Sequence, residues 1–243
     1  MSTERSSWTV LTWNLQGSKS TDLGRVADVI RAESPDVVAL QEVRRPQADA
    51  LARSLTMNRC WAQKHNPYRP LLTKRTEGAA ILAPHELRDA DHTVISTAGS
   101  KRSYMRRIVL WATVTRGDHH AVRVFDAHLS PHDLSAERLA EATQISTIAC
   151  RFGDDLPIIV AGDFNNHDQP EVIGALPGVE LTAAPATNPS EAPKQHLDHV
   201  LVPSGSIAID TAVPTGSDRW AALSDHLPLT VRFELSGHSG DGA

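Results

Sequence analysis

Thiols are scarce. Cys60 and Cys150 are the only cysteines, 90 positions apart and without a CxxC motif, which excludes a thiolate zinc centre and gives no sign of a disulfide scaffold. No stretch reaches the ~18 consecutive apolar residues that a membrane span needs. The opening MSTERSSWTVLTWNLQG has no apolar run of signal-peptide length, so a soluble cytoplasmic protein is expected. Neither sign of charge dominates. Lys and Arg number 24 against 29 Asp and Glu, for a formal net charge of −5, and a pI near 6.2 rules out coating nucleic acid by bulk positive charge. A local basic groove is still allowed. A serine elbow, a P-loop lysine motif and HExxH are all missing, as are internal repeats and any linker long enough to separate two domains.

The 243 residues suit one large domain over 1–235, followed by the small polar tail SGHSGDGA (236–243), which is expected to fray. A domain this size buries roughly 70–75% of its unfolded surface and needs no staple. Strand-like and helix-like segments alternate. Trp8–Trp13 is rich in β-formers. Leu23, Val26, Ala27 and Ile30 share one helical face, which Ser34-Pro35 ends. Asp36–Leu40 reads as a buried strand, and Ala48–Leu55 as a helix. Strands are predicted at Gly78–Leu82, His92–Ser96, Ile108–Thr115 and Val122–His128, with Gly117-Asp118 marking a hairpin. Ser135–Arg151 predicts a helix in which Leu139, Ala142, Thr143, Ser146 and Ala149 interleave with Glu137, Arg138 and Glu141. Beyond it come a strand over 157–162, a short helix over Pro170–Leu176 and a proline-rich loop over 177–196. Strands at Leu197–Val202, Ile207–Ala212 and Leu229–Leu235 close the chain. The pattern is a layered α/β domain.

Apolar strands repeatedly end in carboxylate, amide or imidazole. Asn14 follows WTVLTW, Glu42 follows DVVALQ, and His128 ends VRVFDA. Asp163 ends PIIVAG, with Asn165 two positions on. Asp198 precedes one strand, and Asp225-His226 precede another. Strand ends on one edge of such a domain lie together and form the usual ligand crevice. Each residue alone has a plain reading as a turn or core residue; the conjunction points to a site. Its oxygen-rich, thiolate-free donors suit a hard cation, Mg²⁺ or Mn²⁺, completed by water and phosphate. Paired histidines add proton transfer and charge stabilisation. The chemistry indicated is metal-assisted attack of water on a phosphorus ester.

The ordered set TWNLQG (12–17), LQEV (40–43), GAAIL (78–82), RRIVLWATV (106–114), DAHLS (126–130), GDFNN (162–166), LDHVLV (197–202) and SDHLPL (224–229) resembles the endonuclease/exonuclease/phosphatase superfamily, of the deoxyribonuclease-I-like fold. The resemblance covers about residues 8–235. It implies an α/β (α+β) four-layer αββα sandwich, with two mixed sheets face to face and helices outside. It also implies that Asn14 and Glu42 hold the metal with Asp225 close by, and that Asp163 orients or deprotonates the attacking water. Asn165 would grip the scissile phosphate, and Arg107, with Arg106 beside it, would bind substrate. His226 would donate to a phosphate oxygen while Asp198 accepts its other N–H. His128 would contact phosphate or assist the leaving oxygen.

The substrate is less defined. KRSYMRR (101–107) is either a solvated loop or a phosphate-backbone rail, and Trp220 either stacks on substrate or packs the core. The stretch 183–196 lacks the aromatic residues that relatives cutting abasic DNA usually carry. The leading expectation is a nuclease cutting DNA or RNA as a phosphodiester hydrolase. The alternative is the same machinery acting on a phospholipid head group or a small phosphoester, and a non-catalytic module is the third reading. No obligate protein partner is evident.

Overall fold

The computed structural model describes residues 6–16, 21–65, 76–96, 105–117, 120–131, 133–153, 156–165, 169–176, 178–214, 220 and 222–235. The 236–243 tail and most of the basic stretch, including Lys101 and Arg102, lie outside them. The elements in chain order are β1 (Ser6–Asn14), α1 (Leu23–Glu33), β2 (Val37–Arg44), α2 (Arg45–Leu55), β3 (Asn58–Gln63), β4 (Glu77–Ala83), β5 (Glu86–Val94), β6 (Ile108–Arg116), β7 (His120–His128), α3 (Ser135–Cys150), β8 (Ile158–Asp163), α4 (Pro170–Gly174), β9 (Val179–Leu181), β10 (Asp198–Pro203), β11 (Ile207–Ala212) and β12 (Leu229–Leu235). They form two six-stranded sheets, ordered β11-β12-β1-β2-β4-β3 and β5-β6-β7-β8-β10-β9.

Alternation along the strands builds the layers, because successive side chains point to opposite faces. Trp8, Val10, Val37, Ala39, Ile108, Leu110, Val124, Ile159 and Val200 meet between the sheets. Leu11, Trp13, Val38 and Leu40 face the other way and pack on Val26 and Ile30 of α1 and Leu51 of α2. On the second sheet, Val109, Phe125 and Val160 pack outward on Ala142 and Ile145 of α3 and Val172 of α4. The result is the expected four-layer αββα sandwich of two mixed sheets.

A polar tie crosses the largely apolar middle. Gln41 Nε2 donates to Thr12 Oγ1 at 3.1 Å and to Asp126 Oδ1 at 2.7 Å, joining β1 and β2 to β7. Burial pushes the Asp126 carboxyl well above the usual carboxylate range, against the opposing hydrogen bond from Gln41. Glycine is required beside it. At Gly162, φ is 147° and a Cβ would lie 1.9 Å from the Ala127 carbonyl oxygen, so only a residue without one lets β8 sit this close to β7.

Helix α1 keeps its expected start at Leu23, and Asp22 before it is a conventional N-cap whose carboxylate accepts from the amides of Gly24 at 3.0 Å and Arg25 at 3.2 Å. Several expectations shift. Strands β3 and β9 are additions: β3 mixes polar and apolar residues on an outer edge, and β9 has only 3 residues. Strand β5 spans Glu86–Val94 rather than 92–96, because its mostly exposed side chains carry no apolar signal. Helix α3 packs through a face that includes two charged residues. Arg138, Glu141, Ala142, Ile145, Ile148 and Ala149 are buried, whereas Leu139 and Thr143 are exposed. No helix among the described residues is long and apolar enough to cross a membrane.

Candidate active site

Period-two alternation brings the second sheet's polar residues into one row. His128 pairs with Asp163 across the parallel β7–β8 ladder, and Asp198 pairs with Asp163 across the antiparallel β8–β10 ladder. All three continue the inward-facing sets of their strands, so their side chains stand at the rim between the sheets. On the first sheet, Asn14 pairs with Gln41 at the matching end of β1 and β2. Asn14 Nδ2 donates to Asp163 Oδ2 at 2.9 Å, linking the two sheets at the rim.

Glu42 reaches the site by breaking the rule. Strict alternation would aim it at the helix layer with Val38 and Leu40. Instead the ladder runs Leu40 to Ala80 and Val43 to Gly78, with an irregularity in β2 between them, and Glu42 has φ of 50°. A bulge of this kind re-aims a side chain. Glu42 Oε1 ends 3.9 Å from His128 Nδ1. Gln16 and Asn165, with φ of 43° and 48°, are also left-handed, a conformation costing non-glycine residues roughly 1–2 kcal/mol and concentrated at functional sites.

The loop before β12 supplies the rest. Ser224 Oγ donates to the Asn14 carbonyl at 2.6 Å, and Trp13 Nε1 donates to the His226 carbonyl at 2.9 Å. His226 Nδ1 lies 2.7 Å from Asp198 Oδ2, which also accepts from Thr187 Oγ1 at 2.5 Å. His226 Nε2 and His128 Nε2 lie 3.8 Å and 3.6 Å from the same Asp163 oxygen, Oδ2. Asp163 Oδ1 accepts from the Asn165 backbone N–H at 2.9 Å, and Asn165 Nδ2 donates to the Leu129 carbonyl at 3.0 Å. Half-buried Asp225 accepts from Gln16 Nε2 at 3.1 Å.

The two histidines are driven apart in charge. Burial opposes protonation of His226, but Asp198, Asp163 and Asp225 outweigh it and raise the imidazole to about 10. Burial lowers His128 well below the usual range, and the charges of Arg107, Lys64 and His226 push the same way. One imidazole is held cationic and the other neutral, within reach of the same carboxylate. Burial, and then nearby Asp198, raise Asp163, while His226 holds it down.

The structure therefore gathers Asn14, Glu42, His128, Asp163, Asn165, Asp198, Asp225 and His226 at one rim. Arg107 is buried and its charge acts on Glu42 and His128; Arg106 beside it is half-exposed. Trp220 packs edge-on against Trp13, with centroids 6.2 Å apart in the helix-side core.

Lys64 is a residue that sequence reasoning missed. It follows β3 and is 7% exposed, and its amide donates to the Glu77 carbonyl at 3.0 Å. Burial, and then the nearby Arg107, lower its ammonium to about 8, while Glu42, Glu77 and Asp163 hold it up. Its only sequence signal is one cation after a strand that was itself not recognised.

Among the described residues one set of ionisable side chains is gathered closely enough for a cation. Ligand atoms of Asp163, Asp198 and His226 lie within 4.8 Å of one another, but the 2.7 Å contact inside that set is already a hydrogen bond. Asn14, Glu42 and Asp225, the ligands expected from the sequence, are oxygen donors of the kind a hard cation takes, and Gln16 holds two of them, its amide donating to Asn14 Oδ1 at 3.0 Å and its Nε2 to Asp225 Oδ2 at 3.1 Å. Burial raises the Glu42 carboxyl, Glu77 and Asp163 add to the rise, and Lys64 and Arg107 offset it in part. A carboxylate charge left incompletely balanced fits a cation ligand.

The sequence model of the Endonuclease/Exonuclease/phosphatase family matches residues 11–226. An uncharacterized protein, YbhP of Escherichia coli K12, is 25% identical over 96% of this chain and 98% of its own length. An endonuclease/exonuclease/phosphatase protein of Bacteroides vulgatus superposes with a TM-score of 0.78 at 18% identity, covering 95% of this chain and 100% of that one. A mannosyl-6-phosphatase of Bacteroides thetaiotaomicron gives 0.75 at 18% identity, over 93% and 99% of the two chains. D. rerio TDP2 complexed with single strand DNA product gives 0.70 at 19% identity, over 94% and 99%.

Proposed function

The chain belongs to the endonuclease/exonuclease/phosphatase family, and on that footing we propose that it is a divalent-metal-dependent phosphodiester hydrolase acting on nucleic acid, with residues 1–235 as its catalytic domain. The observation that carries this reading is the placement of Asp163 Oδ2 between two imidazole Nε2 atoms, 3.6 and 3.8 Å away, with Asp198 fixing one of them.

Asn14 and Glu42, with Asp225 beside them, would hold Mg²⁺ or Mn²⁺, which supplies Lewis-acid charge stabilisation on a phosphate oxygen when bound. Asp163 orients a water and takes its proton; its carboxyl, raised by burial, is a stronger base than a solvated aspartate. His226 keeps a proton on each ring nitrogen. Nδ1–H donates to Asp198, and Nε2–H is free to donate to the phosphate oxygen that gains charge. His128, neutral, faces the phosphate or the leaving oxygen. Asn165 uses one amide N–H on Leu129 and offers the other to the phosphate. Lys64 and Arg107 line the Glu42–His128 side as phosphate-binding cations.

The test is a panel of Mg²⁺, Mn²⁺ and EDTA against supercoiled plasmid, single-stranded RNA, a chromogenic phosphodiester and a chromogenic phosphomonoester. Metal-dependent cleavage of nucleic acid, with affinity falling linearly in log–log with salt, is expected. Hydrolysis confined to the chromogenic esters would replace the nuclease assignment. No hydrolysis with any metal would overturn the reading.

A further inference from the structure

The segment after His128 has no regular structure, yet hydrogen bonds hold it on both sides. On the site side, Leu129 N donates to the Asp163 carbonyl at 2.9 Å, and the Leu129 carbonyl accepts the Asn165 side chain at 3.0 Å. On the far side the bonds come from α3. Glu141 accepts from Ser130 through both oxygens, Oε2 from the backbone N–H at 2.8 Å and Oε1 from the hydroxyl at 2.7 Å. Arg138 Nη1 donates to the Ser130 carbonyl at 3.3 Å and to the Pro131 carbonyl. Its Nε and Nη2 donate to Gln169 Oε1 at 2.9 and 2.7 Å, tying in the residue before α4.

Both side chains are buried, Arg138 at 3% exposure and Glu141 at 1%. Burying two charges is unfavourable unless their hydrogen bonds are met, and apolar residues at these positions would pack α3 without that cost. Bonds they make go to the 130–131 backbone and the Ser130 hydroxyl, two and three residues past His128, and to Gln169. Bidentate acceptance and a planar guanidinium restrict direction as well as distance.

Resting on the function proposed above, we propose that Arg138 and Glu141 are positioning residues for phosphoester hydrolysis. They grip the 129–131 segment from behind, and that segment sets the aim of the His128 ring and anchors the Asn165 amide. Neither touches substrate. Their contribution lies in holding two groups of the site within the small tolerance that in-line attack allows, where a displacement of about 1 Å can cost ~10²-fold.

Glu141→Gln retains an oxygen for the Ser130 amide and an N–H for its hydroxyl, whereas Glu141→Met fills the volume without either. Steady-state kinetics on a phosphodiester that the wild type cleaves should show kcat of Glu141→Met down about tenfold or more, KM within about twofold, and Glu141→Gln restored to within about threefold. Ser130→Ala, which deletes one hydroxyl, keeps the question open to test if Glu141→Met does not fold; its kcat should fall with KM unchanged. Unchanged kcat in Ser130→Ala, or equal losses in the Gln and Met variants, overturns the positioning role while wild-type activity still supports the proposed function. A wild type inactive on every phosphoester overturns both.

Discussion

Asp198 Oδ2 takes two hydrogen bonds on one buried oxygen, from His226 Nδ1 at 2.7 Å and from Thr187 at 2.5 Å. Thr187 thus fixes the partner that fixes the imidazole. Asp198→Asn is predicted to lower turnover by at least ~10²-fold with the fold retained, because the amide cannot hold His226 as a cation. Comparison of kcat with a circular-dichroism melt checks this, and a near-normal kcat would remove Asp198 from the site.

His226 also gives the fold an alkaline limit. Its imidazole stands at about 10 in the folded chain against roughly 6.5 unfolded. Between these values the native state binds more protons, so stability falls as pH rises. The contribution is complete below about 6.5 and is gone above about 10. Denaturant unfolding from pH 6 to 10 should show this decline in the wild type and a flatter profile in His226→Gln. Parallel profiles would refute the charge assignment.

Asp126 acts with the same sign from a buried position without a counter-ion among the described residues. Its folded pKa is raised well above the usual value by burial, so above the unfolded value near 3.9 the native state again binds the extra proton and loses stability with rising pH. Asp126→Asn keeps an acceptor for Gln41 and removes that loss. We expect its melting temperature at neutral pH to rise by a few degrees, each kcal/mol being worth about 2–4 °C at this size. A lower melting temperature at pH 7 would contradict it.

Glu42→Gln should shift the metal requirement upward by about tenfold or more with the fold unchanged, since an amide oxygen binds a hard cation more weakly than a carboxylate. Titrating activity against Mg²⁺ reads this directly. An unchanged midpoint would exclude Glu42 as a ligand.

Lys64→Met is predicted to raise KM about tenfold with a smaller change in kcat, and Lys64→Arg to recover much of the loss. Equal KM in all three proteins would leave Lys64 as a packing residue.

The site was legible wherever period-two alternation runs unbroken to a strand end, as it does into Asn14, His128 and Asp163. There, local hydropathy and the polar terminus report the same geometry. Glu42 was found from its motif and against its periodicity, because the bulge that re-aims it leaves no trace in hydropathy. Lys64 was hidden by an edge strand with too few apolar residues to register. Arg138 and Glu141 carry no sequence signal of burial, since charge ordinarily faces water. What draws them inward is the 130–131 backbone, whose donors and acceptors are set by tertiary placement and not by residue type. The layered architecture needed only the order of its elements.

The close approach at Gly162 has a consequence for variation in this chain. A single methyl group there would act as a wedge between neighbouring ribbons and carry His128 away from the aspartate opposite it. A position in this neighbourhood with no room for a side chain thus performs no chemistry and serves as a spacer, so a survey that scores residues by reactivity would pass over it.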